Sequence, residues 1–426
     1  MEKRSVLLTI FDGILLFVFI YSLVFNGINF ASSKLVLFYL FLVVDKKELI
    51  NQFFGNRFLK SGLIIWILFS VYFFGVTIFS ARYHFGFLQQ TFWFFWEGVF
   101  GSFLFSFYLI KRYPIKEILY LISVVVVIQS VFVLISFLSG TFRDMVETVL
   151  LSQERHVSSV RLKGFSNSGG AGLSYLQSLC ILILGYLYLS KFRNGKSNKI
   201  IIIAIITVFI SQIFIARTGM IFSGLFIGAL ILQNAINKKS LKPLILQFFG
   251  VLLFATLVYN FYEVVIPKEK LKVLNEKILS RAFESIDNYN RTGSFETKST
   301  TVLDNMYFLP KTETGIIFGE GVWDSAENRK DTAGRIVNSD VGYVRIVFAA
   351  GLIGSIMFYF LYYLYSKGLI ETDLGNVYKL GILVLLIAFV MGEFKEPFLV
   401  RSSGIIKVLC LLIFVLTPFK KVVARI

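Results

Sequence analysis

The chain has 426 residues, of which 56% are hydrophobic, 17% aromatic and 16% charged. Soluble domains carry about 25% charged residues, so this composition excludes a cytosolic enzyme, a disordered protein and a disulfide scaffold, and it predicts an all-α polytopic membrane protein. The 43 Lys and Arg residues exceed the 26 Asp and Glu residues, giving a net charge of +17. In a membrane protein such an excess orients the chain, and it gives no support to nucleic-acid binding.

Apolar windows predict the membrane spans. A bilayer core of about 30 Å requires roughly 20 apolar residues per helix, and about twelve such windows follow one another along the chain. The first window is too long for the apolar region of a signal peptide, so we expect it to be retained. The predicted spans cover residues 5–26, 30–44, 61–79, 90–110, 116–138, 171–190, 199–215, 218–236, 243–265, 341–366, 376–394 and 402–419.

Basic residues predict the orientation of these spans. Lys and Arg recur in every second loop, and the positive-inside rule then places both termini in the cytoplasm. The basic loops are 46–60, 111–116, 191–199, 238–242 and 367–379, followed by the tail 420–425. Two long loops are left outside, 139–170 and 266–340, and residues 1–426 are expected to form a single integral membrane domain.

The larger outer loop is expected to be partly helical. Apolar residues recur every three or four positions from Leu271 to Ala282, which predicts an amphipathic helix on the membrane surface. A second short helix is expected from Val302 to Tyr307, ending before Pro310.

A charge within or at the edge of a span is costly and needs a partner or a purpose. Six charged side chains qualify: Asp12, Glu97, Arg217, Glu263, Arg345 and Lys407. Asp12 and Glu97 are interpreted equally well as structural groups paired inside the bundle and as functional groups. Lys407 is expected to extend toward the membrane interface.

Several arginines on the predicted outer side run against the positive-inside bias and indicate an anionic ligand. Arginine suits phosphate because its planar guanidinium can donate two hydrogen bonds at once. Pairing with a nearby carboxylate is the alternative interpretation for each. The arginines of most interest are Arg161, Arg217, Arg291 and Arg345.

Glycine-rich stretches lie beside these arginines. One runs from Arg161 to Gly172, and another, 315–321, is followed by Asp340 and by Gly351-Leu352-Ile353-Gly354. Glycine lets a backbone approach a ligand or a neighbouring helix closely, so phosphate binding and helix packing both remain open.

These features together resemble the O-antigen polymerase family, which is related to the O-antigen ligases. The resemblance covers most of the chain: the number of spans, the cytoplasmic termini and two outer loops, the later one larger. The motifs that carry it are Ala216-Arg217-Thr218-Gly219, Arg291 ahead of a loop helix, Phe318-Gly319-Glu320-Gly321, Ser339-Asp340-Val341-Gly342-Tyr343 and Gly351-Leu352-Ile353-Gly354. An Arg-to-Gly spacing found in the family fits Arg161 to Gly172, whereas Arg281 to Gly293 misses it by one residue.

The resemblance implies a GT-C-like membrane glycosyltransferase of the bacterial inner membrane, with its active site facing the periplasm and with no metal and no cofactor. Such an enzyme polymerises undecaprenyl-diphosphate-linked oligosaccharide repeat units into O-antigen or capsular polysaccharide, by transferring the growing glycan to the incoming unit. The expected partners are these lipid-linked oligosaccharides, the lipid bilayer and a chain-length regulator protein, with no nucleic acid.

That reaction suggests roles for the charged residues. Negative charge grows on a diphosphate leaving group, which the four outer arginines would stabilise, and the acceptor hydroxyl needs a base. Asp340 or Glu320 is the expected base. Asp340 has the equally weighted alternative of capping the helix that follows it.

Two other functions remain open. An O-antigen ligase would transfer finished polymer to lipid A core, but ligases resembling this chain carry a histidine where it has Asp340, which favours the polymerase. A polysaccharide flippase or transporter is the second. Transporters are often built from repeated halves with broken helices, and the sequence shows no internal repeat.

Overall fold

In the computed structural model the described residues form helices joined by turns and irregular segments, with isolated bridges and no named strand among them. The described residues are 6–28, 30–80, 85–151, 162–167, 169–190, 196–238, 268–280, 283–323, 339–370, 379–400 and 404–416. Among them, six helices are long and apolar enough to cross a membrane. The prediction of a helical, multi-pass membrane protein is therefore confirmed.

The described helices follow one another in chain order. The first half comprises α1 (Val6–Tyr21), α2 (Ser32–Val43), α3 (Lys46–Gly55), α4 (Arg57–Phe79), α5 (Gly86–Ile110), α6 (Ile115–Leu138), α7 (Gly140–Val149) and α8 (Ala171–Leu189). The second comprises α9 (Lys196–Ile213), α10 (Arg217–Lys238), α11 (Lys268–Val273), α12 (Glu284–Thr292), α13 (Lys298–Asp304), α14 (Glu313–Phe318), α15 (Gly342–Ile370), α16 (Lys379–Glu393) and α17 (Gly404–Leu416). Helices α4, α5, α6, α8, α10 and α15 have spanning length, and the predicted span 243–265 lies outside the described residues.

The chain forms two compact units. Unit 1 comprises Met1–Lys34, Lys116–Phe295 and Leu374–Leu385, and unit 2 comprises Leu35–Ile115, Glu296–Asp373 and Leu386–Ile426. In unit 1, α8 packs against α9 and α10. Gly219 permits this approach, because a Cβ there would lie 2.6 Å from the Ser174 side chain, and Ser178 Oγ donates to Gly219 O at 2.8 Å. Small residues at a crossing are typical of membrane helices, whose backbones can then approach closely.

The described part of the first glycine-rich loop is held in unit 1 by two polar side chains. Gln129 of α6 donates to Lys163 O at 2.7 Å and accepts from Phe165 N at 3.2 Å. Asn167 exchanges hydrogen bonds with both backbone groups of Val24 and donates to Leu151 O. Residues 162–167 are thus fixed within this unit. Arg161 lies outside the described residues.

In unit 2, α4 packs against α15, and α17 packs against α5. The second contact contains a buried ion pair, with Lys407 Nζ 3.0 Å from Glu97 Oε2 and side-chain exposures of 0% and 7%. Glu97 lies in a π-helical stretch of α5, Phe94–Gly101. The expectation that Lys407 extends to the interface is therefore wrong, because a carboxylate within the unit neutralises it. For Glu97, the structure supports the interpretation of a paired group.

The larger outer loop contains α11 to α14. The first amphipathic helix is confirmed, since α11 continues into a π-helical turn, Leu274–Leu279. Leu274 and Ile278 are buried, so this helix packs its apolar side against protein, and Ala282 lies outside the described residues. The second expected helix is α13. It starts at a capping box formed by Thr297 and Thr300 and ends well before Pro310.

Candidate functional site

Helix α15 of unit 2 is broken where it would cross the membrane. Gly351 has φ 66° and ψ −173°, which no α-helix contains. The break leaves carbonyl groups on the preceding turn without helical partners, and the segment 319–321 satisfies them. Glu320 N donates to Phe348 O at 2.8 Å, and Gly321 N donates to Ala349 O at 3.1 Å. An interrupted membrane helix is tolerated when other protein groups take up its free backbone groups in this way.

The segment 317–319 passes so close to α15 that both segments need glycine where they meet. Gly319 has φ +90°, and a Cβ there would lie 2.6 Å from Gly351 N and 2.7 Å from Ala349 O. A Cβ on Gly351 would meet the backbone of Ile317, Phe318 and Gly319. Backbone atoms cannot rotate away as a side chain can, so both positions exclude every larger residue. The structure thereby explains why glycines occur in both motifs.

A tyrosine completes the crossing. Tyr72 of α4 places its hydroxyl 2.9 Å from Phe318 O and 2.9 Å from Ala350 O, so a single donor contacts a carbonyl on each side. The inserted segment is thereby fixed to two membrane helices of unit 2.

Beyond this crossing, the chain runs along the first half of α15 toward its start. Val322 packs in an apolar cluster with Val341, Val344 and Phe348. The indole of Trp323 is buried, and the guanidinium of Arg345 lies 5.9 Å from its ring centroid, within the range of a cation–π contact. Val322 and Trp323 thus pack against the first half of α15.

Asp340 and Arg345 meet at the start of α15. Arg345 Nη2 lies 3.3 Å from Asp340 Oδ1, and Arg345 Nε donates to Ser339 O. Their exposures differ sharply: the side chain of Asp340 is 62% exposed and that of Arg345 only 7%. The buried guanidinium of Arg345 therefore contacts one oxygen of the Asp340 carboxylate, and the rest of that carboxylate remains exposed.

The structure also bears on the capping interpretation of Asp340. The amide of Val341 bonds to Ser339 Oγ at 3.1 Å, so serine supplies the side-chain acceptor at this helix start. Among the described residues, no backbone amide donates to the Asp340 carboxylate. Its partner there is Arg345. The local geometry therefore favours a role for Asp340 other than capping.

Glu320 is in a different position. It is 2% exposed, and its backbone amide donates a hydrogen bond to Phe348 O. Of the two expected bases, Glu320 is buried and Asp340 is exposed, so Asp340 is the more accessible carboxylate.

Glu393, at the end of α16, is a buried carboxylate that the sequence reading did not single out. It is 0% exposed, accepts from Leu399 N at 2.7 Å and contacts Tyr359 Oη at 3.3 Å. Its Oε2 lies against Gly342, where a side chain would collide with it. Glu393 therefore joins the turn after α16 to the start of α15. The signal that could have revealed it is an acidic residue within a predicted span, as Glu393 lies within 376–394 and Glu97 within 90–110.

Tyr307 lies in the loop that packs beside this region. Its hydroxyl donates to Phe394 O at 2.7 Å. Burial, and then the negative charge of Asp304, raise the pKa of this phenol. Tyr307 therefore stays protonated and donates a hydrogen bond at neutral pH.

The arginines of unit 1 have different surroundings. Arg217 is the first residue of α10, and its Nη1 lies 3.0 Å from Glu284 Oε2 on α12, with side-chain exposures of 21% and 25%. Arg291 lies seven residues after Glu284 on the same helix, hence on the same face, and is exposed. The structure therefore links Arg217 and Arg291 through α12 in unit 1, and it joins Asp340 to Arg345 in unit 2.

Within the described residues, no three His, Cys, Asp or Glu side chains converge as metal ligands. Both cysteines, Cys180 and Cys410, are buried free thiols. No family model matches the chain, and no curated protein matches it.

Proposed function

We propose that the protein is a membrane glycosyltransferase that polymerises undecaprenyl-diphosphate-linked oligosaccharide repeat units on the periplasmic face of the bacterial inner membrane. Its product is O-antigen or capsular polysaccharide. The proposal includes about twelve spans with both termini in the cytoplasm, as the charge pattern predicts. The observation that carries it is the Asp340–Arg345 pair at the start of a broken membrane helix.

The chemistry requires a base and a stabilised leaving group. The acceptor hydroxyl oxygen attacks the anomeric carbon of the growing glycan, the bond from that carbon to the lipid diphosphate breaks, and the hydroxyl proton passes to a carboxylate. Asp340 is exposed, and one of its oxygens is held by a buried guanidinium. This arrangement orients the carboxylate and leaves its other oxygen for the acceptor.

In this proposal Arg345 positions Asp340 instead of contacting the diphosphate as its sequence position suggested, because its side chain is 7% exposed and bonded to Asp340 and Ser339. Arg291 is the exposed cation that suits the diphosphate. Arg217 is already paired with Glu284, so it serves the diphosphate only if the ligand displaces that carboxylate. Arg161 remains assigned to the diphosphate by the sequence pattern alone.

A flippase or transporter of lipid-linked oligosaccharide is the second candidate. The observation in its favour is the interruption of α15 at Gly351, because discontinuous membrane helices are common in transporters. The exposed carboxylate at the helix start favours group transfer over transport.

Deleting the gene and separating surface polysaccharide on a gel distinguishes the candidates. Loss of a polymerase leaves lipid A core bearing one repeat unit, or abolishes a capsule. Loss of a ligase leaves no attached glycan and causes lipid-linked polymer to accumulate. Loss of a flippase traps single units on the inner leaflet. A normal ladder in the deletion strain refutes the proposal.

A further inference from the structure

Helix α12 of unit 1 is amphipathic, and its apolar side is exposed instead of packed against the protein. At 100° per residue, Phe283, Ile286 and Tyr289 lie on one side and Glu284 and Asn288 on the other. The apolar side is the exposed one: Phe283 is 43%, Ile286 52% and Tyr289 48% exposed. On the other side, Glu284 and Asn288 are half-buried, whereas Asp287, Asn290 and Arg291 are exposed. A helix of a water-soluble surface shows the opposite arrangement.

Neighbouring residues extend the exposed apolar face. The ring of Phe295 stacks on that of Tyr289 at 4.3 Å between centroids, and Phe295 is 63% exposed. The preceding helix, α11 with its π-helical turn, behaves conventionally, since Leu274 and Ile278 are buried. The same loop therefore contains one helix that packs its apolar side inward and one that turns it outward.

An ion pair fixes the position of α12 relative to the end of the membrane-spanning helix α10. Arg217 is the first residue of a membrane-spanning helix, so it lies where that helix meets the bilayer surface. Glu284, at the first position of α12, lies 3.0 Å from the Arg217 guanidinium. The start of α12 is therefore held at the level of the lipid headgroups, whichever side of the membrane this is.

We propose that α12 is an interfacial anchor whose outward face, formed by Phe283, Ile286, Tyr289 and Phe295, is covered by the lipid bilayer. Tyrosine and phenylalanine at headgroup level, with charged residues opposite, are typical of helices that lie about 5–10 Å into the headgroup boundary. Lipid is the occupant that the structure favours, because the spanning helix α4 likewise turns apolar side chains outward, as with Ile64 and Val71.

The anchor fixes where the large loop meets the membrane. Arg291, on the polar side of α12, is then held at the height of lipid phosphate groups, where a long cationic side chain can reach them. The inference rests on exposure and the ion pair alone, and it holds whether or not the chain is a glycosyltransferase.

Spin labels on the full-length protein in lipid nanodiscs test this. Ile286→Cys and Tyr289→Cys are labelled on the apolar side, and Asp287→Cys, exposed on the same helix, is the matched control. The native cysteines are buried, and the unsubstituted protein measures their background. Collision with oxygen, which concentrates in lipid, is compared with collision with a water-soluble nickel chelate.

We expect oxygen to relax the labels at positions 286 and 289 more than nickel, with the ratio reversed at 287. Higher nickel than oxygen accessibility at 286 and 289 means that this face meets water, and it overturns the anchor. Protection of both positions from both reagents means that protein covers the face, and it also overturns the anchor. Polymer synthesis is not measured, so either result leaves the proposed function untouched.

Discussion

Because Gly319 and Gly351 meet backbone to backbone, we predict that Gly351→Ala strongly destabilises the protein. The residue occupies a backbone conformation that is essentially restricted to glycine, and forcing another residue into it costs about 1–3 kcal/mol. The added Cβ also comes closer than 3.0 Å to three backbone atoms of the facing segment. That segment must move, because backbone cannot rotate out of the way.

The movement breaks the hydrogen bonds that satisfy the open turn of α15. The bonds from Glu320 N to Phe348 O and from Gly321 N to Ala349 O are both at risk. Each buried group left without a partner costs about 1–3 kcal/mol. We therefore expect Gly351→Ala to destabilise the protein by roughly 4 kcal/mol or more, a large part of the 5–15 kcal/mol that is typical of folded domains.

Gly75→Ala is the matched control. Gly75 lies inside α4, and no described atom is within 4 Å of a Cβ at this position. Alanine in a helix interior is more favourable than glycine by up to about 1 kcal/mol, so this variant should be neutral or slightly stabilised. Thermal unfolding of the purified proteins in detergent, followed by intrinsic fluorescence, measures both. A Gly351→Ala protein that melts with the wild type refutes the account of the broken helix.

Further predictions concern the charged pairs and Glu393. Lys407→Met should destabilise by about 3–5 kcal/mol because Glu97 is left charged and buried, and Glu97→Gln in the same protein should restore most of the loss, as a double-mutant cycle in thermal unfolding would show. Glu284→Ala should change stability by less than about 1 kcal/mol, because the pair is partly exposed. If Arg217 also binds diphosphate, Arg217→Ala should reduce polymer synthesis while Glu284→Ala does not. Equal synthesis by both variants would mean that Arg217 only pairs with Glu284 and does not bind the diphosphate. Glu393→Ala should destabilise by about 1–3 kcal/mol by leaving the Leu399 amide unpaired, whereas Glu393→Gln, which keeps an acceptor, should unfold closer to the wild type.

The sequence predicted the fold class because hydropathy is a local property. A window of apolar residues needs no knowledge of its neighbours, so the six helices of spanning length were foreseeable. The break at Gly351 was not. An apolar window with Gly351 and Gly354 is typical of an unbroken packed helix. The helix is interrupted because the segment 319–321, about 30 residues earlier in the sequence, bonds to its carbonyl groups, and no local pattern predicts that contact.

Pairing partners were the least predictable feature. Lys407 was expected to reach the interface, because its partner Glu97 lies 310 residues away and no periodicity connects them. Arg217 was recognised as unusual, but its pairing with Glu284 depends on how the large loop folds back. Asp340 and Arg345 were foreseeable as neighbours, since five residues of a helix start separate them. Their opposite exposures come from tertiary packing around Trp323.

The most direct test of the account is polymer synthesis by purified protein in liposomes, supplied with undecaprenyl-diphosphate-linked repeat units. Asp340→Asn removes the proposed base at an exposed position, and Asp304→Asn, an exposed carboxylate in the same unit, is its matched control. We predict a ladder of lengthening products from the wild type and Asp304→Asn, and single units only from Asp340→Asn at equal protein level. A full ladder from Asp340→Asn, or no product from a wild type that moves the same lipids between leaflets, would contradict the account.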